Sequence, residues 1–162
     1  RTVAAEAGIS TGSLRHVFPS KADLLVHATE LVGRRAQGRI EEHLHEPDPR
    51  ALVLAVIKEL LPLDAERRAE MEVNVALIAE APGDERVKEV LDVAHATVRD
   101  ACRHLVTHLH RAGLTAPDLD VEEVTTLLHG LVDGLAIHIL VNPDPAFGRQ
   151  ALRMIETTID GL

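Results

Sequence analysis

Residues 3–25 read VAAEAGISTGSLRHVFPSKADLL, and their order decides how the rest of the chain is read. Val3, Ala4, Ala7 and Ile9 put small and apolar side chains where one short helix packs on the next. Gly8 falls at the turn, where the backbone must enter the left-handed region that glycine adopts without strain. Ser10 is an N-cap for a second helix, whose buried face is expected from Leu14 and Val17 with Phe18. Two short helices joined by a tight glycine turn form a helix-turn-helix, whose second helix fits the major groove of DNA. Pro19 ends that helix, and the Ser20-x-x-Asp23 spacing opens a long third one as a capping box.

These residues resemble the helix-turn-helix of the TetR (tetracycline-repressor) family of bacterial transcription regulators. The family's Ile-Ala-x-x-Ala-Gly-Val-Ser is met by Val3-Ala4-Ala5-Glu6-Ala7-Gly8-Ile9-Ser10. Its Gly-x-x-Tyr-x-x-Phe is met by Gly12 to Phe18, and its Ser-Lys-x-x-Leu by Ser20 to Leu24. The departure is Arg15, where the family usually has tyrosine; both reach a phosphate, but the arginine contact is charged. The resemblance implies DNA contacts at Arg1, Thr11, Gly12, Ser13, Arg15, His16 and Lys21. Thr11, Gly12 and Ser13 would face base edges, while Arg15 and Lys21 would mainly meet phosphates, which position without specifying. It also implies one more helix upstream of Arg1, and a cytoplasmic homodimer on a palindromic double-stranded operator. A small-molecule effector would release that dimer, making it a repressor. The alternative is a helical ligand- or protein-binding dimer that does not bind DNA.

The composition agrees with an all-α fold. Among 162 residues there is no Trp or Tyr, and Phe18 and Phe147 are the only aromatics of their kind. No stretch alternates in the way strands require. The length suits a helix-turn-helix region with its connecting helix at 1–45 and a larger regulatory unit at 46–162. A single cysteine, Cys102, forms no internal disulfide and suits a reducing compartment. No apolar run is expected to reach the roughly 20 residues that span a bilayer, so no membrane partner is expected. The net charge of −9 is unevenly spread. Residues 1–40 carry six basic side chains against three acidic ones, so an acidic body ends in a modestly basic tip.

Punctuation divides the remainder. The helix opening at Lys21 should run to about His45, before Pro47. Asp48 with Pro49 starts the next, to Leu61; Asp64 caps another, to about Ala81; Asp84 caps a long one from Glu85 to Arg111, closed by Gly113. Asp120 caps a helix through Val141, and Asn142-Pro143-Asp144-Pro145 turns the chain into a last one ending near Gly161.

The last two helices point to self-association. Between Leu127 and Val141 the helix is apolar nearly all round, which predicts burial on more than one side. Gly130 and Gly134 each cost about 0.8–1 kcal/mol of helix propensity, which a close helix approach would offset. A four-helix arrangement across a two-fold axis is expected, with Leu128, Gly130, Leu131, Gly134, Leu135, His138, Phe147, Met154, Ile155, Thr158 and Ile159 at the interface.

Other constellations are weaker. His104 and His108, four apart, sit on a polar helix face without a third ligand, so neither a metal nor a cofactor is expected. Asn74 lies on the stripe Met71, Asn74, Val75, Ile78, where a buried amide needs partners. Together with His95, Cys102 and His129 it is a candidate for the small-molecule pocket that the family's central helices enclose. The C-terminal segment faintly resembles that of choline-responsive members, but without Trp or Tyr there is no cage for a quaternary ammonium. Nothing carries an enzyme reading: there is no Ser-His-Asp context, phosphate loop or His-Glu-x-x-His.

Overall fold

Seven helix starts are secured by side-chain caps. Ser10 Oγ accepts the Ser13 N–H at 3.0 Å, and Asp64 Oδ1 accepts the Arg67 N–H at 2.8 Å. Asp48, Asp84, Asp120 and Asp144 close the same loop on N–H groups two or three residues ahead. Ser20 and Asp23 complete a reciprocal capping box, which with Arg86 holds the Asp23 carboxyl below the usual carboxylate range. Each such cap contributes about 1 kcal/mol.

The computed structural model, which describes residues 2–162, has eight helices, all but the first opened by these caps: α1 (Thr2–Glu6), α2 (Thr11–Val17), α3 (Lys21–His43), α4 (Pro49–Glu59), α5 (Ala65–Glu80), α6 (Glu85–Arg111), α7 (Val121–Val141) and α8 (Pro145–Asp160). A 3₁₀ turn at Ala81–Gly83 joins α5 to α6. Gly8 and Gly113 have φ of 66° and 70°, at the turn after α1 and the end of α6. α3 stops two residues short of the expected His45, and α4 short of Leu61, because Leu44 and Leu60 already close their helices as C-caps.

The main core lies among α4, α6, α7 and α8, with Ile57, Leu109, Val132 and Ile155 fully enclosed. A smaller cluster of Leu25, Leu77, Ala81 and Val87 fastens the start of α3 to α5 and α6. By contrast, α1 and α2 enclose only Ala4. Val17, expected in the buried face of α2, is 64% exposed, and Val3 and Ile9 are exposed as well. Two such short helices bury too little area to cover both faces of α2. Leu14 and Phe18 are half-buried, and Phe18 packs on the His27 ring at 5.3 Å.

α7 corrects the expectation that no segment is long and apolar enough to cross a membrane: by length and composition it qualifies. One of its faces, with Leu128, Val132, Leu135 and Ile139, fills the protein's own core. Its last carbonyls are capped from outside, since Arg68 donates to Leu140 O at 3.0 Å.

A charged knot ties α3 to the body. Arg39 Nε donates to Glu59 Oε2 at 2.8 Å, and its Nη2 to Glu70 Oε2 at 2.6 Å. Glu59 also accepts from His43 at 3.2 Å and pairs with Arg67 at 3.0 Å. Burial opposes ionisation of Glu59. The hydrogen bonds from His43 and Arg39 and the nearby arginine charges outweigh it, so the carboxyl lies below its usual range. Substituting Arg39→Met strands the nearly buried Glu70 carboxylate, leaves Glu59 to His43 and Arg67, and should cost about 3 kcal/mol in urea unfolding. The depressed Glu59 pKa adds stability that is complete above the unfolded value and lost as pH falls through the folded one. Wild-type stability should therefore drop more steeply on acidification than that of Arg39→Met.

Candidate functional site

The tip of the molecule is built by α1, the Gly8 turn and α2. Ser10 faces the start of α2, where its Oγ meets Ser13 Oγ at 2.9 Å and fixes the helix entry. Thr11, Gly12, Ser13, Arg15 and His16 are all exposed, and no acidic residue lies in the first turn of α2. The basic residues Arg15 and His16 in its last turn, with no carboxylate opposing them in its first, make this face attractive to phosphate. Lys21 is also exposed, but its ammonium is paired with Glu80 of α5. Arg86 of α6 reaches Asp23 at 3.0 Å, so two ion pairs connect the start of α3 to the body. Arg1 lies outside the described residues.

At the far end, α7 presents a second apolar stripe opposite its core face. Leu127 (56% exposed), Ile137 and Val141 (78%) lie on it, along with exposed Gly130, Gly134 and His138. A Cβ built on either glycine meets nothing within 4 Å. On α8, Met154 is exposed and Thr158 half-buried, while Phe147 lies edge-on to His138 at 6.2 Å. Between the two helices runs an open groove of about 570 Å³, lined by Leu131, Gln150, Arg153, Met154, Thr157 and Thr158. Of the residues expected at an interface, Leu128, Leu135, Ile155 and Ile159 instead pack into the protein's own core. Leu127, Ile137 and Val141 take their place on the open face, and sequence periodicity alone had no means of ranking the two faces.

The expected effector residues do not form one group. Asn74 is half-buried with only a long contact to Met71 Sδ at 3.9 Å, while Val75 and Ile78 are exposed. The inward residues of α5 are Glu70 and Leu77. Cys102 lies in the main core, where burial, and secondarily the Asp133 charge, push its thiol up to about 11. His95 and His129 do meet, with ring centroids 4.6 Å apart. His129 is buried, and burial is the largest cause lowering its pKa; His95 and Arg99 act in the same direction against the Asp133 carboxylate. Sequence reasoning missed Asp133, whose Oδ2 lies 3.4 Å from His129 Nε2, although the four-residue spacing on one helix was available as a signal. It also missed Thr125, a fully buried residue on the same face.

Residues 49–162 match the TetR C-terminal family described as BetI-type transcriptional repressor. The HTH-type transcriptional regulator PksA of Bacillus subtilis (strain 168) is 33% identical over 144 residues, covering 88% of this chain and 69% of its own length. The chain belongs to the TetR family. It is a DNA-binding transcriptional regulator and not an enzyme. Among solved structures, a transcriptional regulator from Rhodococcus sp. RHA1 superposes with a TM-score of 0.76 at 26% identity, over 99% of this chain and 86% of that one. A transcriptional regulator from Saccharomonospora viridis, solved in complex with choline, has the same fold with a TM-score of 0.86 at 23% identity, over 98% and 82% of the two chains.

Burial gives Cys102 a measurable signature in this TetR protein. At neutral pH the native thiol should resist alkylating reagents and react fully once urea unfolds the chain. Rapid native labelling, followed by mass spectrometry, would mean that Cys102 faces an open pocket.

Proposed function

We propose that this TetR regulator works as a homodimeric, ligand-released repressor in the cytoplasm, with residues 1–45 reading a palindromic operator and 46–162 sensing an effector and dimerising. The observation that carries the reading is the bare, acid-free face of α2 with Thr11, Gly12, Ser13, Arg15 and His16 turned outward. Thr11 to Ser13 would face base edges. Arg15 and Lys21 would meet phosphate, and Lys21 would exchange Glu80 for it at little cost, since exposed pairs are worth about 0–1 kcal/mol.

The second copy seats on the outer stripe of α7 and the groove beside α8. Gly130 and Gly134 let the two α7 backbones approach, and Met154 and Thr158 flank them. Two recognition helices then fall on half-sites about 34–36 Å apart. α3, about 35 Å long at 1.5 Å per residue, is the lever between tip and body. An effector among α4, α5 and α6, near Asn74, would shift the body end of α3 and change that spacing. Release requires different effector affinity in the two spacings. Choline, bound by the Saccharomonospora neighbour, is not carried over: Phe18 is engaged with His27 and Phe147 with His138, leaving no aromatic cage.

Two measurements test this. Fluorescence anisotropy with duplexes from beside the gene should give strongly salt-dependent binding. Arg15→Ala should weaken all operator variants alike and reduce the salt slope by about one. Loss confined to one sequence would make Arg15 a base reader, and no binding by wild type would leave the dimer without DNA function. In sedimentation, Gly134→Leu should yield a folded monomer, because its side chain enters open space in the protomer and a clash in the dimer. Leu135→Asp should instead unfold the chain, since it buries an unpaired charge in the core. A wild-type monomer at micromolar concentration would overturn the interface.

A further inference from the structure

One cluster is used by neither the DNA face nor the dimer face. It lies on the seam between α6 and α7, the most extensive helix pair in the fold. His95 projects from α6, and His129 and Asp133 stand one turn apart on α7. One ligand atom from each lies within 4.8 Å of the other two, the only such trio of histidine, cysteine or carboxylate groups among the described residues. We propose that His95, His129 and Asp133 form a binding site for a divalent transition-metal cation, best suited to zinc, with a fourth position open to solvent.

The spacing favours it. A tetrahedral zinc with bonds of about 2.0–2.1 Å keeps its ligand atoms about 3.4 Å apart. His129 Nε2 and Asp133 Oδ2 are already 3.4 Å apart. His95 is exposed, so its side chain is free to swing the remaining distance, at most about 1.4 Å, onto the ion. The two rings are tilted by 50° with centroids 4.6 Å apart rather than stacked in parallel. Two imidazoles with one carboxylate suit zinc, cobalt or nickel, not the oxygen-seeking magnesium or calcium. His129 is buried, which holds its ring in place before the ion arrives.

The opposing charge is accounted for. Arg99, one turn along α6 from His95, would repel a cation, but its guanidinium donates to Glu122 at 2.8 Å. Arg103 leans towards the same carboxylate at 3.7 Å and pairs with Asp100. His104 and His108, the pair that stands out in the sequence, are exposed and belong to no such trio. A bound ion would pin α6 to α7, and so couple the sensing body to the helix that carries the dimer face. The site itself depends on neither dimerisation nor DNA.

The test uses the whole chain, stripped with a chelator and titrated with zinc chloride by calorimetry, then with cobalt chloride by visible absorption. One zinc per chain, a tetrahedral cobalt spectrum and a zinc-dependent rise in Tm are expected. His95→Ala and Asp133→Asn should each weaken zinc binding roughly tenfold or more and remove the Tm rise. Both positions are exposed, so their metal-free Tm should match that of wild type. A double variant, His104→Ala with His108→Ala, should bind as wild type does. The proposal is overturned by the absence of stoichiometric zinc binding, by unchanged affinity in His95→Ala and Asp133→Asn, or by loss of binding in the His104/His108 variant alone.

Discussion

The Arg39 guanidinium is the contact on which the rest of this architecture hangs. It belongs to α3, yet every strong partner it has lies on α4 or α5: Glu59 through Nε, Glu70 through both terminal nitrogens. Arginine's planar fork matches this task, because it satisfies two carboxylates at once with fixed angles. Glu70, almost fully enclosed, is held by that fork, while the equally enclosed Glu59 shares it with His43 and Arg67. The lever that reaches to the DNA-binding tip is therefore referenced to the body by directional bonds and not by apolar packing alone. At its other end, α3 is held by a small apolar cluster and by exposed pairs such as Asp23 with Arg86. Strong, oriented bonds near the body and weak, screened ones near the tip describe a rod that is clamped at one end and compliant at the other.

α7 faces two demands that pull its composition the same way. Its inner stripe supplies Leu128, Val132, Leu135 and Ile139 to the core, and its outer stripe leaves Leu127, Ile137 and Val141 in solvent. Such a helix passes the length and composition test for a membrane span, although 39% of that apolar window is buried in its own protein. The acidic pair Glu122 and Glu123 at its start, and the Arg68 side chain on its last carbonyls, mark it as a helix of a globular body.

The helices were legible because their boundaries are written locally. An aspartate followed by proline or glutamate, or a glycine after the last turn, acts within three or four residues of itself, and those signals gave α6 and α7 their observed limits. The turn at Gly8 was legible for the same reason. Burial was less so. In α7 both stripes are apolar, so periodicity finds two faces and cannot tell which one turns inward; Leu135 was assigned outward and lies inward. On α5 the stripe of Met71, Asn74, Val75 and Ile78 looks internal, but only Met71 packs on the core, while Val75 and Ile78 are exposed and Glu70 turns inward to Arg39. His95 and Asp133 are 38 positions apart, and only the packing of α6 on α7 brings them together. No local pattern carries that kind of information.

The composition of the main core has a consequence for how the chain is made. α4 emerges early in synthesis, but Val53 and Ile57 belong to a core whose other members come mostly from α6, α7 and α8. About a hundred residues must follow before the last of these arrives, which takes on the order of 5–20 s at about 5–20 residues per second. During that interval α4 presents much of its apolar ridge beside the ribosome, since α3 and α5 bring only Ile40 and Met71 to this core. The nascent first half is thus the aggregation-sensitive stage in the life of this molecule, and a pause placed before α7 would lengthen it.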